Sequence, residues 1–140
     1  MRSGRAPPRH ERGPEFAVVA LGVRAIVVLG HARCGGIAAV VGQTAPLSRS
    51  DFVGTWMSDV RDLAAAARDN EPIGSDTSAR QTELERAAVA RSLAHLRAFP
   101  WIGDREAAGD LVLRGAWFDI GLGVLYVLDP AGHWHPLSLT

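Results

Sequence analysis

The sequence predicts an α/β fold: a small, mostly parallel sheet flanked by helices, closed by a C-terminal strand pair. Three observations carry this prediction. Ala25 to Leu29 is a continuously apolar, β-branched run, the character of a parallel strand covered on both faces. Residues 51–68 and 82–98 each repeat apolar side chains at helical spacing. Residues 111–128 read as strand, Gly-Leu-Gly turn and returning strand. The order helix, strand, helices, strand, strand is an α/β pattern with few strands.

Taken along the chain, residues 1–14 place Pro7, Pro8 and Pro14 among arginines and glycines and are expected to be a loop or disordered leader. No apolar stretch with a small-residue cleavage site follows, so a secretory signal is not expected. Glu15 to Val23 reads as a short buried helix opened by Pro14 and Glu15. After the strand at 25–29, Gly30 to Gly36 is a loop and Ile37 to Val41 starts a helix. In the helix Asp51–Arg68, Phe52, Trp56, Val60, Leu63 and Ala67 share one face, Ser50 can cap the start, and Asn70 with Pro72 closes the end. Residues 70–81 are polar and expected to be a loop. Thr82 to Ala98 carries Val89, Leu93 and Leu96 on one stripe with Arg86 and Arg97 off it, and Pro100 is expected to stop it. Leu111–Ile120 and Val124–Leu128 are the strand pair, followed by an Asp129-Pro130-Ala131-Gly132 turn. Trp56, Trp117 and Phe118 are expected core residues. Residues 15–140 are expected to form one domain, a size that can bury a real core.

Composition excludes several function classes. Fifteen Lys and Arg balance fifteen Asp and Glu, so no net charge favours nucleic acid or an anionic membrane surface. The best apolar run, Phe16 to Leu29, is too short to span a membrane and is interrupted by Gly22 and Arg24. A single cysteine cannot form an internal disulfide, which argues against a stapled secreted fold and for a reducing cytoplasm.

That one cysteine is the chemical focus. "VVLGHARCGG" ends the apolar run with His31 and, three residues on, Cys34. In sheets of parallel strands, ligands gather at the carboxyl ends of the strands, where this pair lies. Imidazole and thiolate are common zinc ligands, and two intervening residues let both reach one ion. Gly35 and Gly36 lead into a helix N-terminus, which favours a thiolate. A nucleophilic cysteine is the competing reading. Its phosphatase form needs an arginine six residues on, where Val40 stands, and no Gly-Lys-Ser/Thr ending marks a phosphate loop. A buried cysteine beside a solvated histidine is the plainest alternative.

The stretch "EFAVVALGVRAIVVLGHARCGGIAA" resembles the zinc-site segment of the β-class carbonic anhydrases. "VARSLAHLRAFPWI" resembles that family's late helix and "LVLRGAWFDIGLGVLYVLD" its closing strand pair, so the likeness runs over about residues 15–137. The resemblance implies an α/β sheet, a dimer or an oligomer of dimers, and a zinc lyase (carbonate dehydratase). There, zinc held by two cysteines and one histidine activates water to attack carbon dioxide, giving bicarbonate. His31 and Cys34 match two of those three ligands.

The chain departs from the family pattern in its first part. The family's Cys-x-Asp-x-Arg motif at the end of an earlier strand is absent; Cys34 is the only cysteine and nothing upstream of it reads Asp-x-Arg. No catalytic Asp-Arg pair can therefore be assigned, and turnover by this chain alone is in question. His10, His133 and His135 are the candidates for a replacement ligand, with "HWH" setting two imidazoles on one side of an extended segment. His95 reads as a partly exposed helical residue, and Arg33 as a solvent-facing one that could attract bicarbonate. The strand at 25–29 should lack a neighbour, leaving its backbone and one face open to water or to another chain. That loss should exceed a typical domain's margin of about 5–15 kcal/mol, so a partner-dependent or aggregation-prone chain is expected, paired with its own copies or a full-length homologue. An N-terminal truncation or frameshift is expected to explain the Arg/Pro/Gly-rich start; a Cys-x-Asp-x-Arg encoded in another upstream reading frame would bear this out. The alternative is a non-catalytic remnant or interaction protein on the same scaffold.

Overall fold

The computed structural model describes residues 9–42, 45, 49, 52–68 and 76–137. The architecture is α/β, with one four-stranded sheet and helices packed against it. The strands are β1 (Ala25–His31), β2 (Val112–Asp119), β3 (Val124–Leu128) and β4 (Trp134–Pro136), side by side in that order. β1 and β2 run parallel, with Ala25 opposite Val112 and His31 opposite Phe118. The β2–β3 and β3–β4 pairings are antiparallel. The sheet is thus mixed, with a single parallel pairing. The sequence reading missed β4 because three residues, "WHP", carry no alternating apolar pattern of their own.

The helices are α1 (Arg9–Glu15), α2 (Gly35–Val41), α3 (Phe52–Trp56), α4 (Ser58–Arg68), α5 (Thr77–Arg97) and α6 (Pro100–Ala107). Residues 9–14, expected to be loop, are helical, and the chain then tightens into a π-helical turn, Phe16–Ala20. That segment is not the buried helix expected: Val18 is buried, while Phe16, Val19 and Leu21 are exposed. Arg105 on α6 donates to the Val18 carbonyl at 2.7 Å and ties the turn down.

The helix expected over 51–68 is two helices broken at Met57, whose carbonyl accepts from the Val60 and Arg61 amides. The buried stripe is Met57, Val60, Leu63 and Ala64. Trp56 faces solvent, 80% exposed, so the expected face is turned by one residue. The expected Ser50 cap and the Asn70–Pro72 stop lie outside the described residues.

α5 is the spine of the fold. It starts five residues earlier than expected because Asp76 caps it, accepting the Ser78 N–H at 3.1 Å. Nothing from Thr77 to Arg97 is Gly or Pro, so the helix runs unbroken. Pro100 does not simply end it but stands at the first position of α6, where its missing N–H is no loss. The α5 side chain Leu93 joins Val18, Ile102, Leu111 and Leu113 in one core cluster; Leu84 joins Ile37, Val40, Met57 and Ala64 in a second. α5 packs on β1 and β2 at close range because Gly30 and Gly115 lie beneath Val89.

Among the described residues, β1 is an edge strand, hydrogen-bonded to β2 and to no other strand. Its side chains alternate between half-buried, facing α5, and exposed. Val27 and Leu29 are 59% and 63% exposed, so the strand is covered on one face rather than both. Among the described residues, the open edge and open face expected of this strand are both seen. Trp117 is core as expected, 2% exposed; Phe118, on the opposite face of β2, is not. No helix among the described residues is long and apolar enough to cross a membrane.

Candidate metal centre

β1 delivers His31 to the carboxyl end of the parallel pair, and Ala32 continues the pairing by donating its N–H to the Phe118 carbonyl at 2.9 Å. Arg33 then turns the chain with φ 58°, a left-handed conformation uncommon for a non-glycine residue. Cys34 returns to extended backbone and caps α2, its carbonyl accepting the Ala38 N–H. His31 and Cys34 are thereby held on the two arms of one tight turn at the strand end. The His31 side chain is exposed and that of Cys34 half-buried.

His31 Nδ1 lies 3.0 Å from the Ala32 carbonyl oxygen. With the proton on Nδ1 it donates there, and the Nε2 lone pair is left for a ligand. Cys34 packs at the margin of the second core cluster and is held by α5 from both sides of its peptide. Its N–H donates to Glu85 Oε1 at 2.9 Å, and its carbonyl accepts from Gln81 Nε2 at 3.3 Å. Gln81 Nε2 also donates to Glu85 Oε1 at 3.0 Å, and Trp117 Nε1 donates to Glu85 Oε2 at 3.2 Å.

Glu85 is 3% exposed, a charged side chain among buried ones, and the sequence reading did not single it out. The signal was present: Glu85 stands four residues before Val89 on the same stripe that continues to Leu93, so an acid interrupts an apolar face. Arg86, next along, stacks its guanidinium over Trp117, Tyr126 and Trp134 at 4.4, 4.8 and 5.6 Å. A cleft of about 390 Å³ opens beside the turn, lined by Arg33, Gln81, Glu85, Trp117 and Asp119 among others. Arg33 lies over the β2–β3 turn: a β-carbon on Gly121 would stand 3.2 Å from its Nη2 and 3.3 Å from Asp119 Oδ1.

Of the candidate replacement ligands, His133 and His135 are not brought to His31 and Cys34. His133 and His135 lie beyond β3, at the sheet edge opposite β1, where both face Asp129. His95 sits on α5 with its Nδ1 3.5 Å from Asp59 and its Nε2 accepting from Arg91. His10 is in α1; its side chain lies outside what is described. Among the described residues, no group of three or more His, Cys, Asp and Glu is placed to hold a metal ion. The donor types therefore fit zinc as two members of a ligand set, and the described residues do not close the set.

Residues 12–125 match the family model described as carbonic anhydrase. Over 97% of this chain the fold matches 61% of the β-carbonic anhydrase CcaA, with a TM-score of 0.80 at 21% identity. The chain belongs to the β-class carbonic anhydrase family. It is 35% identical over 117 residues to a carbonic anhydrase of Pseudomonas aeruginosa, covering 84% of this chain and 52% of that protein. It also matches a β-carbonic anhydrase described as tetrameric, from Sordaria macrospora, with 26% identity and a TM-score of 0.70 over 92% of this chain and 61% of the other. The chain spans about half the length, or less, of the curated relatives it matches.

Proposed function

We propose that this chain serves the reversible hydration of carbon dioxide to bicarbonate, a zinc-dependent carbonate dehydratase reaction, and supplies His31 and Cys34 as two ligands of the metal. The observation that supports this most is the position of the pair: His31 ends β1 and Cys34 follows in the turn after it, and among the described residues β1 has a free edge. A strand added in parallel along β1 would finish beside them and could bring the third ligand. Zinc, when bound by such a set, supplies a Lewis acid that makes water a nucleophile near neutral pH. The residues of this chain orient its ligands: the Ala32 carbonyl sets the His31 tautomer, and Glu85 with Gln81 fixes the Cys34 backbone. The missing strand would come from a further copy, a full-length homologue or chain beyond the described residues. A tetrameric relative supports assembly, and a lone cysteine supports a reducing compartment such as the cytoplasm.

The test is zinc per chain in the purified protein after extensive dialysis, followed by carbon dioxide hydration for the unmutated chain, His31→Ala and Cys34→Ser. Near one zinc per chain, lost in either variant together with hydration, supports the proposal. Near zero zinc with no hydration supports the second reading, a non-catalytic remnant or interaction protein, which the open ligand set favours.

A further inference from the structure

Glu85 is an acid on the packed face of α5. It faces the sheet from α5, four residues before Val89, and is almost fully buried. Burying a carboxylate is costly unless its oxygens are satisfied, and here they are, by donors from three places. Oε1 accepts from the Cys34 amide and from Gln81; Oε2 accepts from the Trp117 indole. Glu85 so joins the β1–α2 turn, α5 and β2 at one point. Gln81 adds a bond to the Cys34 carbonyl, so both peptide groups of Cys34 are gripped by one helix. What remains free at Cys34 is the rotation of its side chain. The same grip holds the turn in which Arg33 takes its left-handed conformation.

We infer that Glu85 is a positioning residue for the metal: through the Cys34 N–H it sets where the thiolate stands relative to His31. The inference rests on the proposed reading of His31 and Cys34 as metal ligands. A buried carboxylate that accepts the Cys34 amide on one oxygen and the Trp117 indole on the other holds Cys34 to a small tolerance.

The test is Co(II) binding to the full chain, followed by thiolate-to-cobalt charge-transfer absorption, with melting temperature measured in parallel. In Glu85→Gln the amide turns an NH2 group toward either the Cys34 amide or the Trp117 indole, so one donor meets a donor. The expected result is about 10–100-fold weaker Co(II) binding with a shifted charge-transfer band. Trp117→Phe is the control: it removes the bond to Oε2 and lowers stability, and should leave Co(II) affinity within about threefold of the unmutated chain, since the Cys34 contact survives. Gln81→Ala, a milder change at the cleft, should weaken binding in the same sense and decides the matter if Glu85→Gln does not fold. The inference is overturned if Glu85→Gln or, in its place, Gln81→Ala binds Co(II) like the unmutated chain. It is equally overturned if affinity across the variants follows melting temperature alone. If the unmutated chain shows no thiolate–cobalt band, the metal-ligand reading itself fails, and the role of Glu85 goes with it.

Discussion

A β-carbon placed on Gly30 would stand 2.7 Å from Val89 Cγ2, closer than any two such atoms can pack. Gly30 immediately precedes His31, so the helix that covers the sheet also sets the height of the candidate ligand. Gly30→Ala should cost about 1–3 kcal/mol by overpacking. Adding Val89→Ala opens space at the same point, so the double variant should lose less than the two singles together, with a coupling of about 0.5–3 kcal/mol. Urea unfolding of the four proteins measures this; strict additivity would show that the two residues do not meet.

The exposed face of β1 leads to a different expectation. Val27 and Leu29 contribute little to the packed core, and the edge beside them is a template for another strand. Lysine at both positions should change unfolding free energy by less than about 0.5 kcal/mol per site while suppressing self-association. Light scattering with chemical denaturation separates the two effects. A loss of several kcal/mol would mean that this face is covered in the folded protein.

Trp56 and Met57 offer a sharp contrast between neighbours. Trp56→Ala, at an 80% exposed site, should cost under about 0.5 kcal/mol despite the size of the side chain. Met57→Ala, 6% exposed within the second core cluster, should cost about 2–5 kcal/mol. Thermal melts of the two variants decide it, and the reverse ranking would restore a single helix with Trp56 on its inner face.

Acid should loosen the β3–β4 hairpin. Asp129 accepts the His133 N–H at 2.8 Å and faces His135 Nε2 at 2.7 Å, and these bonds, the backbone one foremost, lower its carboxyl from the ordinary 3.8 to about 2. A depressed acid stabilises the fold fully above its unfolded value, and that contribution fades as pH falls through the folded value. The hairpin lock is thus intact above about pH 4 and lost near pH 2. NMR titration of the Asp129 carboxyl carbon should show this midpoint. His135→Ala should move it part of the way back toward 3.8 and no further, because the His133 amide remains. A midpoint of 3.8 in the unmutated chain would mean the lock does not form.

The two strong periodic signals, the helix through Val89 and Leu93 and the strand pair around Trp117, were legible because each side chain's burial follows from its own element. The placement of His31 and Cys34 at a strand end followed from the apolar run before them. What the sequence hid was decided between elements. Met57 breaks a helix whose pattern looks continuous. "WHP" becomes a strand only because β3 offers it an edge. Glu85 stood out only once Cys34, Gln81 and Trp117 were seen to converge on it. Phe16, Val19 and Leu21 are apolar without being buried, which local composition cannot distinguish from core.

The parallel pairing of β1 with β2 also sets an order of events in synthesis. β1 is made early, but its partner begins at Val112, after α2 to α6 have all been translated. At about 5–20 residues per second, β1 and the His31–Cys34 turn leave the ribosome on the order of ten seconds before they have a strand to pair with. Closing so long a loop carries an entropic cost that slows the pairing. If His31 and Cys34 serve as the proposed ligands, metal capture is therefore a late act of folding, and until then the Cys34 thiol is open to any ion or thiol-reactive species the nascent chain meets.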